Sequence, residues 1–333
     1  MYQPDTPSLL SGEINGSGAS SQGSASDVWI AAFQMNHPAV TINYSPDGSG
    51  AGRKAFTSGG VAYAGSDSAL TASELAEDFV ACRPGTQAID LPVYISPIAV
   101  IFNIEGVSEL NLDATTIAKI FKGELTRWDD PAIVALNPGA ALPSAPITAV
   151  HRSDDSGTTT NFTDYLAQLA PEVWDAPADD TFPYRKGEAA QGTSGVVGAV
   201  TNGRNTIGYS DASRAGDLGV AAIKVGNTFV NYTAEAAARV VAESPVEDGR
   251  AENDLAIALD RTTTNPSHYP LVLVSYLIVC QHYAVEDIGA LVKEYALFVA
   301  SAEGQALAAK SAGAAPLSAA LSARVTSVIE TIQ

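Results

Sequence analysis

Short apolar runs alternate along the chain with segments whose apolar residues return every three or four positions. The runs at residues 40–44, 94–103, 147–152, 207–209 and 271–280 read as strands. Residues 26–36, 71–79, 115–121, 159–170, 233–241 and 286–301 carry the helical period, and Asp113 stands just ahead of the third of these, where an N-cap belongs. This alternation predicts an α/β architecture of mostly parallel sheets covered by helices on both faces. Residues 12–26, rich in Gly and Ser, have the composition of a flexible linker. The longest apolar run, 271–280, is broken by Ser275 and followed by Gln281 and His282, well short of the ~20 residues a membrane-spanning helix needs.

A length of 333 residues exceeds one ordinary domain, which leaves two lobes or one large domain. With 37 acidic against 18 basic side chains, the formal net charge of -19 repels nucleic acid and anionic lipid. Any anion bound here must therefore be held by local donors. Cys82 and Cys280 are the only cysteines, too few for a disulfide scaffold and without the spacing of a zinc or redox site. His37, His151, His268 and His282 show no His-x-x-x-His or His-x-His spacing, and no Gly-x-Ser-x-Gly elbow occurs. Metal and hydrolase chemistry thus lack their usual signatures, and no cofactor or metal is expected. Met1 is followed by Tyr2, Gln3, Pro4 and Asp5, with no basic or apolar leader region, as expected of a chain that either stays in the cytoplasm or has been cut from a longer precursor.

Four segments join glycine to hydroxyl or acidic residues where an apolar strand gives way to a helix. They are Gly16-Ser17-Gly18-Ala19-Ser20-Ser21, Gly48-Ser49-Gly50-Ala51-Gly52, Gly65-Ser66-Asp67, and Arg152-Ser153-Asp154-Asp155-Ser156-Gly157-Thr158. Such a turn presents unpaired backbone N–H groups and the positive end of the helix dipole, which together favour an anion. One turn of this kind usually caps a helix and binds nothing. Four carry more weight, because strand-to-helix turns gather along one edge of an open α/β sheet. Arg152 is the one obvious cation among them, with a planar fork suited to a tetrahedral oxyanion; its bland role is a salt bridge to Asp154, and the two roles are compatible. His151 reads as a satisfied histidine at a strand end, and the aromatic residues around Trp128 as core packing.

The chain resembles the phosphate-binding receptors of bacterial phosphate ABC transporters from Gly16 to about Ser322. The most specific motifs are the Arg-x-Asp-x-Ser-Gly-Thr segment at Arg152–Thr158 and the stretch from Ile120 through Phe121-Lys122-Gly123-Glu124-Leu125-Thr126-Arg127-Trp128 to Pro131, followed by Leu136-Asn137-Pro138 and Leu142-Pro143. The resemblance implies a phosphate site made of Ser20, Ser21, Ser49, Asp67, Arg152, Ser156, Gly157 and Thr158, with Asp154 as the arginine's partner. Serines stand at 20 and 21 where the family has threonine and phenylalanine. Asp155 stands where the family usually has glycine, and this extra carboxylate either turns to solvent or weakens anion binding. In an exported protein, Cys82 and Cys280 either pair with each other or are both buried thiols.

The expected molecule is a two-lobed, type II-like periplasmic binding protein, each lobe a mostly parallel sheet flanked by helices, with the ligand cleft between lobes. Residues 1–95 and 268–333 form the first lobe and residues 96–267 the second, with strand crossings near 95 and 270. The implied function is extracytoplasmic binding of inorganic phosphate by a monomer, without catalysis, and its delivery to the permease subunits of a phosphate ABC transporter. The alternatives are a receptor for sulfate or molybdate, and a phosphohydrolase or serine hydrolase using Ser20, Ser49 or Ser156, for which no motif supplies a general base.

Overall fold

A computed structural model describes residues 10–333. The leader reading at Met1–Asp5 lies outside the described residues. In chain order the elements are β1 (Gly12–Gly18), α1 (Gly23–Asn36), β2 (Val40–Ser45), α2 (Ser49–Thr57), β3 (Tyr63–Ser66), α3 (Ala72–Leu75) and β4 (Ala88–Asn103). There follow β5 (Asn111–Leu112), α4 (Ala114–Lys122), α5 (Pro131–Leu136), β6 (Thr148–Arg152), α6 (Gly157–Leu169), β7 (Glu188–Ala190), α7 (Gly192–Asn202) and β8 (Thr206–Asp211). The last are β9 (Gly219–Val220), β10 (Ala222–Val225), β11 (Thr228–Val230), α8 (Ala234–Glu243), β12 (Val272–Cys280), α9 (Glu286–Ala300), α10 (Ala302–Ala312) and α11 (Ala319–Glu330).

The chain divides into two compact α/β units. Of the described residues, the first comprises those up to Tyr94, Val246–Ala258 and Val274–Gln333, and the second Ile95–Pro245 with Leu259–Leu273. Strands β4 and β12 run from one unit into the other and are buried along almost their whole length, which explains why both read as unbroken apolar runs. Val246–Ala258 lies in the first unit although the two strand crossings place it within residues 96–267. It is held there by backbone and side chains: Leu255 N–H donates to the Asp90 carbonyl at 3.0 Å, Ile257 N–H to the Tyr276 hydroxyl at 3.0 Å, and the Asn253 side-chain amide to the Gln281 side-chain carbonyl oxygen at 2.9 Å.

In the first unit the strand order is β2-β1-β3-β12, with β1 parallel to both neighbours and β12 antiparallel to β3. The Gly and Ser stretch is not a linker but β1 and the start of α1. Its glycines permit contacts that no side chain would allow: a Cβ on Gly18 would lie 1.8 Å from the Gly65 carbonyl oxygen, and one on Gly52 2.5 Å from the Gly18 Cα. Helix α1 buries Ala25, Trp29 and Phe33 at four-residue steps, and the Trp29 indole N–H donates to the Gly304 carbonyl at 2.7 Å. The helix predicted over 71–79 stops after one turn at Leu75, because the chain turns away to pair Val80 N–H with the Thr57 carbonyl at 3.1 Å and to bring Cys82 to Cys280. These two cysteines form a disulfide, which decides between the two sequence alternatives.

In the second unit the order is β4-β8-β6-β7, with β6 parallel to β7 and β8 and β4 antiparallel to β8. Ala99, Ile101, Val150, Val196 and Val200 form a core cluster between strands and α7. Helix α4 begins where Asp113 accepts the Thr116 N–H at 2.8 Å and ends at Gly123, whose φ of +80° suits glycine. Trp128 is fully buried, its indole N–H donating to the Asn205 carbonyl at 3.1 Å, as a core residue should.

Candidate functional site

Because β1, β2 and β3 run parallel, the turns after them leave the sheet of the first unit at one edge. Backbone bonds lock these turns together: Ala19 N–H donates to the Gly65 carbonyl at 2.8 Å, and Gly48 N–H to the Gly18 carbonyl at 2.8 Å. Gly48 takes a φ of +106°, open to glycine and strained for other residues. Neither α1 nor α2 has a side-chain cap hydrogen bond at its N-terminus, the end whose backbone donors and dipole suit an anion.

Three of the four residues expected here meet through hydrogen bonds. The Ser21 hydroxyl donates to Asp67, 2.7 and 2.6 Å from its two carboxylate oxygens, and Ser49 Oγ accepts the Asp67 N–H at 3.1 Å. Ser21, Ser49 and Asp67 are 1%, 1% and 3% exposed, whereas Ser20 in the same turn is half-buried. Ser49 retains its hydroxyl proton for a further acceptor. Tyr44 supports the turn by donating to the Ala19 carbonyl at 2.9 Å; burial first, and then Tyr63 and Asp67 nearby, push its pKa well up, so it stays a neutral donor.

The second unit builds its turn between β6 and α6. Arg152, 3% exposed, donates from Nε to Asp154 Oδ1 at 2.7 Å and from Nη2 to Oδ2, a two-point ion pair. Burial raises the Asp154 pKa, but the hydrogen bonds and charge of Arg152, with the Gly192 N–H at 3.0 Å, outweigh it and hold the carboxyl below its ordinary range. Ser156 caps α6 by accepting the Thr159 N–H at 3.3 Å, and Gly157 and Thr158 are buried in its first turn. Tyr209, its pKa pushed up to about 12 mainly by burial, accepts the Arg152 N–H at 3.3 Å and shares a hydrogen bond of 2.7 Å with the Thr159 hydroxyl. The Asp155 carboxylate receives the Thr181 hydroxyl at 3.1 Å on an exposed stretch. His151 stacks on Phe182 with ring centroids 4.1 Å apart and hydrogen-bonds the Arg152 carbonyl, a packed histidine rather than a base.

Residues 4–303 match the PBP superfamily domain. Phosphate-binding protein PstS 2 of Mycobacterium tuberculosis (strain ATCC 25618 / H37Rv) is 38% identical over 291 residues, covering 85% of this chain and 78% of that protein. The chain belongs to the PstS family of this superfamily. Phosphate-binding protein PstS 3 of Mycobacterium leprae (strain TN) is 36% identical over 291 residues, covering 85% of the chain and 77% of the relative. The high-affinity periplasmic phosphate-binding protein PfluDING, solved with phosphate bound, shares the fold with a TM-score of 0.76 at 23% identity, covering 95% of this chain and 93% of its own. The family is one of substrate-binding receptors, and the chain has its two-lobed α/β fold.

One cation of the first unit escaped the sequence reading. Arg53, one position past Gly52, is 6% exposed and donates to Glu74, Ser66 and Ser68. Its signal was its spacing: Ser49 and Arg53 are four residues apart in α2 and so share a face. Among the described residues no group of three or more His, Cys, Asp or Glu side chains could hold a metal ion, and no helix is long and apolar enough to cross a membrane.

Proposed function

We propose that the protein is an extracytoplasmic receptor that binds inorganic phosphate and delivers it to the permease subunits of a phosphate ABC transporter, acting as a monomer and catalysing no reaction. Ser20, Ser21, Ser49 and Asp67 from one unit and Arg152, Ser156, Gly157 and Thr158 from the other serve as the contacts, with Asp154 orienting Arg152. The observation that carries this reading is Asp67, a buried carboxylate set among hydroxyl and backbone donors. A carboxylate repels an anion unless the ligand brings a proton to it. Phosphate near neutrality carries at least one proton and sulfate none, so the acceptor favours phosphate. The names of the curated relatives support the same ligand, and the Cys82–Cys280 disulfide supports an oxidising compartment.

The test is ligand identity. Protein purified without phosphate in its buffers and then denatured is expected to release inorganic phosphate. Titration of the stripped protein is expected to give phosphate binding that sulfate and molybdate displace only at about 1000-fold higher concentration. Preferential binding of sulfate or molybdate would replace phosphate as the ligand, and turnover of a chromogenic phosphate ester would replace the receptor with an enzyme.

A further inference from the structure

We propose that Arg53 is a positioning residue for phosphate selectivity: its buried guanidinium clamps the two serines that flank Asp67 and thereby fixes the carboxylate that accepts a hydrogen bond from a protonated phosphate oxygen. The inference rests on the phosphate reading and deepens it by naming what holds the selective group in place.

The geometry centres on one nitrogen. Arg53 Nη1 donates to Ser66 Oγ at 3.1 Å and to Ser68 Oγ at 2.7 Å, so the residues before and after Asp67 are tied to the same atom. The turn is also closed on itself, with the Ser66 hydroxyl donating to the Ser68 carbonyl at 2.6 Å. From the same face of α2, Ser49 Oγ accepts the N–H of Asp67 itself at 3.1 Å. Helix α2 therefore grips Asp67 at its backbone and on both sides, while Ser21 reaches its carboxylate from the turn after β1.

Arg53 is held in turn by Glu74, which accepts from Nε at 2.8 Å while closing the capping box of α3 with Thr71. Burial raises the Glu74 pKa, and the charge and hydrogen bond of Arg53 overcome this to keep it below its ordinary range. Glu74 takes the Nε donor, which leaves the donors of Nη1 to be placed elsewhere. The bonds to Ser66 and Ser68 are additional, and they converge on the residues adjoining the selective carboxylate. A planar fork delivers donors to Glu74 and to both serines in fixed directions, which a single ammonium does not reproduce.

The experiment measures phosphate affinity and its displacement by sulfate for the parent, Arg53→Met and Arg53→Lys, alongside thermal unfolding and circular dichroism. The Arg53→Met variant is expected to lower the phosphate-to-sulfate affinity ratio at least about tenfold, as sulfate meets a carboxylate no longer held in place. Arg53→Lys is expected to recover part of that ratio. A folded Arg53→Met protein that melts earlier but keeps the parental ratio would assign Arg53 to the fold alone and overturn the proposal. Where Arg53→Met does not fold, Arg53→Lys decides: a ratio lowered about threefold or more supports the clamp, and a parental ratio overturns it. Absence of phosphate binding in the parent would overturn the function reading itself, a result separate from either outcome for Arg53.

Discussion

Arg152 and Asp154 act as one group, and the consequences of removing either follow from that. The carboxylate side chain is 14% exposed and accepts the guanidinium at two points as well as the Gly192 N–H, so it stays ionised beside Arg152. Arg152→Ala deletes the cation and also leaves that carboxylate uncompensated. The expected loss in phosphate affinity is about a hundredfold, or about 3 kcal/mol. Calorimetric titration checks it, and binding within about threefold of the parent would remove Arg152 from the site. The double variant Arg152→Ala with Asp154→Asn should recover part of the loss, because the stranded charge is gone. This pair was legible in the sequence because both residues belong to one contiguous motif. Arg53 was not, since Ser66, Ser68 and Glu74 lie 13, 15 and 21 residues away and only the packing of α2 against β3 brings them to it.

At the scale of elements, the pattern that carried furthest was the apolar run. Strands β2, β4, β6, β8 and β12 all overlap runs visible in the chain: β4 and β12, buried on both faces, are almost continuously apolar, whereas β2 buries only alternate residues, Val40 and Ile42. Strand β1 shows the opposite case: its glycines, which suggest flexibility, allow close approach of the Tyr63 ring at Gly16 and of the Gly65 and Gly52 backbones at Gly18. Helices α7, α10 and α11 were missed for a related reason, as their Ala, Gly and Ser residues pack without the bulk that makes a helical period visible. The disulfide lies beyond local pattern altogether, joining residues 198 apart. It ties the end of β12 to the segment after α3, and closing so long a loop restricts the unfolded chain. Reduction is expected to cost about 2–5 kcal/mol of stability, read from denaturant midpoints with and without reductant. Alkylation of the denatured, unreduced protein should label neither cysteine, and two labelled cysteines would refute the bond.

The molecule as a whole is assembled from discontinuous pieces of chain, and the first unit stands or falls on how well its three pieces are joined. Asp90 on β4 and Asp254 in the returning segment Val246–Ala258 are the polar part of that joint, 0% and 2% exposed. Asp254 accepts the Asp90 N–H at 3.2 Å, Asp90 accepts the Leu70 N–H at 3.2 Å, and Arg250 reaches Asp254 at 3.2 Å and Asp90 at 3.5 Å while also pairing with Glu247. Two buried carboxyls facing one shared guanidinium do not both ionise without penalty. Burial above all, and then the charge of Asp254, push the Asp90 pKa well above the ordinary carboxylate range, with Arg250 only partly opposing them. The sign follows from proton uptake: between the ordinary carboxylate range and the raised value, the folded state binds a proton that the unfolded state has released. Stability from this group is therefore complete below the ordinary carboxylate range and is lost as pH rises through the raised value. Asp90→Asn keeps the size of the side chain and cannot ionise, so its stability relative to the parent should improve as pH rises over that interval. Thermal unfolding of both proteins across a pH series reads the difference directly. A gap between the two melting curves that stays constant with pH would show that Asp90 does not titrate in the folded protein, and that the joint is held as an ionised pair around Arg250.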